Sequence, residues 1–150
     1  MWLALAGANL PAKNILEGRK GVLTGESLAA LDMRGLEMVV LSACQSGQGV
    51  ERNGEGVYGL QRAFHIGGAQ NVIASLWDVN DHATSALMRR FYQNLWGDSK
   101  MSPLDALREA QLAMLREYDS EAGELRHEAA KRDPTPAYFW AAFMLSGGGR

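Results

Sequence analysis

Met38-Val39-Val40-Leu41-Ser42-Ala43-Cys44-Gln45-Ser46-Gly47-Gln48-Gly49 opens with four apolar residues and runs into a chain of small ones. An apolar run without polar alternation is the pattern of a strand covered on both faces by helices, so residues 38–41 are predicted to form a central parallel strand. Cys44 stands three residues past Leu41, and Ser46, Gly47 and Gly49 let the backbone after it turn tightly. In open parallel sheets ligands meet the loops beyond the carboxyl ends of the strands, which puts Cys44 at the edge where chemistry is expected. A thiol there acts as a nucleophile if a base or a helix dipole favours the thiolate, and its own backbone N–H can help hold an oxyanion. A lone cysteine is more often a small core residue, so the residue type alone leaves both roles open.

Downstream of this loop, Val57, Leu60 and Phe64 recur at helical spacing until Gly67-Gly68 stops the helix. Asn71 to Leu76 reads as a second unalternated strand centred on Val72 and Ile73. Asn80 or Asp81 caps the next helix, whose apolar face carries Ala83, Leu87, Phe91 and Leu95 before Gly97 ends it. A further helix starts at Ser102-Pro103-Leu104-Asp105, with serine as the cap and proline in the first turn. Its inward residues are expected to be Leu104, Leu107, Met114, Leu115 and Tyr118. Residues 119–136 are charged and end in two prolines; they read as a charged surface insertion, partly helical around Leu125 to Lys131. Phe139 to Leu145 reads as a closing apolar strand, with Ser146 to Arg150 as a flexible end.

Upstream, Trp2 to Ala6 reads as a strand. Pro11 to Thr24 reads as a loop with a helical turn around Asn14 to Glu17, followed by a short helical piece from Glu26 to Leu31. The strand and helix alternation implies an α/β sheet with short connections and no internal repeat.

A second loop at the same sheet edge, Leu76-Trp77-Asp78-Val79-Asn80-Asp81-His82, follows the second strand. Trp77 and Asp78 are candidates for lining a substrate pocket, the carboxylate favouring a basic side chain; a capped helix start with a core tryptophan accounts for the same residues. Of the three histidines, His65 lies inside a helix and His127 in the charged insertion, leaving His82 as the one internal candidate partner for Cys44. Its place at a helix start disfavours an imidazolium. Glu55 begins the helix after the cysteine loop, where a carboxylate complements the dipole.

The chain has 150 residues, room for one modest domain, with 47% hydrophobic and 21% charged residues. Its net charge of -2 supplies no basic field for direct nucleic-acid binding. No apolar run approaches the roughly 20 residues that span a bilayer. A single cysteine allows no internal disulfide and no cysteine-built zinc site, which fits a reducing compartment, the cytoplasm by default. The histidines lack ligand spacing and no Gly-Lys-Ser/Thr loop follows a strand, so neither a metal nor a nucleotide cofactor is expected.

Several segments in order carry a resemblance to the CHAT domain, a member of the caspase-like, separase-like clan of cysteine peptidases often joined to tetratricopeptide repeats. They are Leu5-Ala6-Gly7-Ala8-Asn9-Leu10, Leu41-Ser42-Ala43-Cys44-Gln45-Ser46-Gly47, Gly54-Glu55-Gly56-Val57 and Ala63-Phe64 with Gly67-Gly68-Ala69. Ala74-Ser75-Leu76-Trp77-Asp78-Val79-Asn80-Asp81 with Ala83-Thr84, and Tyr138-Phe139-Trp140-Ala141-Ala142-Phe143, complete the set. The resemblance implies a caspase-like three-layer sandwich, a mostly parallel sheet with helices on both faces. It also implies peptide-bond hydrolysis by a histidine–cysteine dyad in which Cys44 matches the nucleophile. The family's histidine stands in a His-Gly pair at an upstream strand end, and no His-Gly pair occurs in these residues. The expectation is therefore a partial CHAT domain over residues 1–150 with its N-terminal portion missing and little peptidase activity alone. A pseudo-peptidase that binds a partner through the same cleft is the alternative, and an unrelated cysteine hydrolase using His82 a further one. The partners implied are a protein or peptide substrate and an upstream repeat region of a longer chain, with neither nucleic acid nor membrane bound directly.

Overall fold

The computed structural model describes residues 2–4, 21–41, 55–119, 124–125 and 135–148. In chain order the elements are β1 (Trp2–Ala4), β2 (Val22–Thr24), α1 (Gly25–Ala29), β3 (Met38–Leu41), α2 (Glu55–Gly67), β4 (Asn71–Ser75), α3 (Asp81–Trp96), α4 (Pro103–Glu117), β5 (Tyr118–Asp119), β6 (Glu124–Leu125), α5 (Ala137–Trp140) and β7 (Phe143–Gly147). The result is a mixed α/β structure with a small sheet and helices. No helix among the described residues is long and apolar enough to cross a membrane.

β4 organises the molecule, because all five of its residues are buried. It pairs in parallel with β3, Val39 opposite Val72 and Leu41 opposite Ala74, and antiparallel with β7, Ile73 opposite Leu145. The sequence reading puts β3 at the centre; among the described residues it is an edge of the three-stranded sheet and β4 holds the centre. An unalternated pattern reports cover on two faces, and β3 has that without lying in the middle. Met38 and Val40 pack on one apolar cluster, Val39 and Leu41 on the other.

The first cluster joins Ile73 and Phe143 of the sheet to Ala83, Leu87 and Phe91 of α3 and to Leu107, Ala110 and Met114 of α4. The second joins Val72 to Leu28 of α1 and to Leu60, Ala63 and Phe64 of α2. Adjacent residues of a strand point to opposite faces, so the neighbours Val72 and Ile73 feed one cluster each.

The helix ends are set as their residues predict. Asn80 Oδ1 accepts from the backbone N–H of His82 at 2.9 Å and of Ala83 at 3.4 Å, opening α3. Ser102 Oγ accepts from Asp105 N–H at 3.2 Å, with Pro103 in the first turn of α4. Leu104, expected to face inward, is 53% exposed. The buried stripe of α4 runs through Ala106, Leu107, Ala110, Ala113 and Met114. At about 100° per residue Leu104 lies roughly 120° from the stripe's centre, while Leu107 and Met114 face inward as expected, alongside three alanines of the same stripe.

Gly68 takes a φ of +108°, and a Cβ there would stand 2.8 Å from the backbone N of Arg34. Only glycine lets residues 33–36 lie this close to the turn between α2 and β4. The approach is sealed by Met33 N–H to Gly67 O at 2.7 Å and Gln70 N–H to Leu36 O at 3.0 Å.

Three local expectations need correction. The expected loop around residues 22–24 is β2, which pairs antiparallel with β1, Leu3 opposite Leu23. The expected strand from Phe139 divides into the short helix α5 and a later strand, β7, that extends through Ser146 and Gly147 instead of leaving a flexible end at 146. The turn between them is closed by Ala141 N–H to Ala137 O at 2.8 Å. Leu125, expected at the start of a helical stretch, belongs to β6, opposite Tyr118. Thr135 is buried, its N–H donating to Leu115 O and its hydroxyl to Tyr118 O, both at 3.1 Å. The helical turn expected at Asn14 to Glu17, and residues 126–134, lie outside the described residues.

Candidate functional site at the carboxyl edge of the sheet

β3 and β4 run in parallel and leave the sheet at the same level, since Leu41 pairs with Ala74. Cys44 stands three residues beyond Leu41 in sequence and Trp77 three residues beyond Ala74. Cys44 itself, with residues 42–54, lies outside the described residues.

The loop after β4 is held at each step. Leu76 N–H donates to Ala142 O at 2.8 Å, and the Ser75 hydroxyl donates to Trp77 O. The Trp77 indole N–H donates to Tyr138 O at 3.1 Å, and its ring packs against the α3–α4 cluster. Val79 is buried and Asn80 caps α3. Asp78 is the exposed residue between these anchors. A carboxylate whose neighbours are fixed on both sides is presented to solvent from a set position.

The two described histidines lie at opposite ends of β4. His82 is exposed at the start of α3, at the carboxyl end. His65 is at the other end, its Nδ1 2.9 Å from Ala69 O and its Nε2 2.9 Å from Ser146 Oγ. Facing a carbonyl, Nδ1 is the donor of its hydrogen bond. His127 lies outside the described residues.

Tyr138 is a residue of this edge that sequence reasoning missed. Its carbonyl anchors the Trp77 indole, 61 positions away in the chain. The one available signal was that a packed tryptophan needs a partner for its N–H, and that names no particular acceptor. The segment carrying Tyr138 is held in turn by Trp140, whose indole N–H donates to Thr135 O at 2.9 Å.

Comparison with protein families matches the model described as CHAT domain over residues 2–148. The chain belongs to the CHAT domain family. No curated protein and no solved structure matches it.

Proposed function

We propose that this chain is the nucleophile-bearing part of a cysteine-type peptidase domain with the caspase-like three-layer architecture. Cys44 would be the nucleophile, and Trp77 and Asp78 would line the substrate pocket. The observation that carries the reading is the family match over residues 2–148, together with the sequence Leu-Ser-Ala-Cys, whose leucine is the last residue of β3. The parallel register of β3 and β4 supports it, because it brings the loop after β4 to the edge from which residues 42–44 depart.

In this mechanism the Cys44 sulfur attacks the scissile carbonyl carbon, and its proton passes through the dyad imidazole to the leaving amine as the C–N bond breaks. Water then cleaves the thioester and restores the thiol. Backbone N–H groups of the cysteine loop would face the developing oxyanion. The imidazole would come from a His-Gly strand end, a pair these 150 residues do not contain. The partners of this reading are a protein or peptide substrate and an upstream repeat region, in the cytoplasm.

The absence of that pair from the sequence favours one second reading, a non-catalytic pseudo-peptidase that binds a protein through the same cleft. The test is peptide cleavage by the full-length protein with and without Cys44→Ala. Cys44-dependent cleavage establishes the peptidase; its absence, in a full-length chain without a His-Gly pair, leaves the binding domain. Equal loss of rate in His82→Ala and Cys44→Ala would move the dyad to His82.

A further inference from the structure

Ser75 is the last residue of β4 and is 5% exposed. By strand alternation its side chain shares the face of Ile73, which belongs to the apolar cluster built with α3 and α4. The strand before it reads Val72-Ile73-Ala74, and packing alone would be served by another small apolar residue. A buried hydroxyl has one proton to donate and is costly to leave unpaired. Ser75 gives it to Trp77 O, two residues on, where the chain has left the sheet.

That bond fixes a peptide plane. The peptide joining Trp77 to Asp78 is trans, and in a trans peptide the carbonyl and the following N–H point in opposite directions. With Trp77 O turned to the buried hydroxyl, the Asp78 N–H is turned away from it, on a residue that is exposed. Among the described residues no group accepts a hydrogen bond from that N–H. The plane is held on both sides: Leu76 N–H donates to Ala142 O at 2.8 Å before it, and the buried Val79 and the Asn80 cap follow it. A donor aimed by a buried partner on the far side of its own peptide is already oriented for an acceptor that arrives from solvent. An extended peptide carries such acceptors in its main-chain carbonyls, whatever its sequence.

We propose that Ser75 is a positioning residue, its hydroxyl locking the Trp77–Asp78 peptide so that the Asp78 N–H donates to one main-chain carbonyl of the bound substrate. The inference rests on the peptidase reading and adds to it a backbone contact and the buried side chain that aims it.

The probe is a peptide selected from a mixed library by cleavage with the full-length protein, and its binding is measured on the full-length Cys44→Ala form. Its carbonyl oxygens are replaced one at a time by sulfur, a weaker acceptor. One replacement is expected to weaken binding by about 3- to 10-fold, the worth of one hydrogen bond, and in Ser75→Ala that same replacement should matter by less than about twofold. A purely structural serine would weaken all the peptides alike, so a sensitivity unchanged in Ser75→Ala, or no sensitive carbonyl at all, overturns the inference. A second measurement leaves Ser75 in place: the Asp78 amide should exchange rapidly in the free protein and be slowed about 10-fold or more by the bound peptide. An amide already protected without peptide, or not slowed by it, also overturns the inference. Cys44-dependent cleavage alongside either negative result sinks this inference alone, whereas cleavage that is independent of Cys44, or of no library peptide, sinks the peptidase reading and the inference with it.

Discussion

The amino end of β4 commits its polar side chains to the fold. His65 bonds Ala69 O and Ser146 Oγ, and Asn71 Nδ2 donates to Glu37 O at 3.2 Å. Gly68 and Gly147, at φ of +108° and +132°, let neighbouring backbone close on that end. The carboxyl end is held as firmly, through Ser75, Leu76, Trp77 and Asn80, but it leaves Asp78 exposed among its anchors. Rigidity alone therefore does not mark a site. The amino end has an exposed charge on a fixed backbone too, at Glu37, so what separates the ends is that the carboxyl one lies where the chain leaves β3 toward Cys44.

The comparison breaks most sharply if chemistry does not reside at the carboxyl end. Cys44→Ala is expected to lower kcat/KM for peptide cleavage by the full-length protein by about 1,000-fold or more, with the thermal midpoint little changed. Retained cleavage would remove the functional half of the contrast.

Substitution at the amino end should reverse that pattern. A Cβ on Gly147 would collide with Gln70 O, at a φ that side chains rarely adopt. Gly147→Val is expected to cost roughly 2–4 kcal/mol of stability, read by chemical denaturation, with cleavage per folded molecule unchanged. A variant as stable as the parent would show that β7 does not need this approach. His65→Ala should act in the same direction but less, by about 1–2 kcal/mol, because the ring is only partly buried.

These contrasts were unevenly legible in the sequence. The caps at Asn80 and Ser102 and the stops at Gly67-Gly68 and Gly97 are local events, written in adjacent residues, and they are where the reading and the structure agree. The strand cores at Val39-Val40 and Val72-Ile73 were legible for the same reason. β2 was not, because three residues pair with three others some twenty positions away and leave no periodic trace. The helix at Ala137–Trp140 was not either: a short apolar run has no period with which to separate helix from strand. Of the candidate site, residue types and loop positions could be read, while the bond between Trp77 and Tyr138 is a tertiary fact. Cys44, its role argued from motif and family, lies outside the described residues.

The smallest effect tests that tertiary bond. Trp77→Phe keeps an aromatic ring against the α3–α4 cluster and removes the N–H that reaches Tyr138 O. Tyr138 is half exposed, so water can replace the lost donor, and the stability cost should stay near 0.5–1 kcal/mol, about the net worth of one hydrogen bond. If the bond helps fix the loop that carries Asp78, the loss should appear in binding: KM for a basic peptide rising about 2- to 5-fold with kcat within about twofold. A change confined to kcat would place Trp77 nearer the reacting atoms than the subsite. No change in either would reduce the bond to ordinary packing.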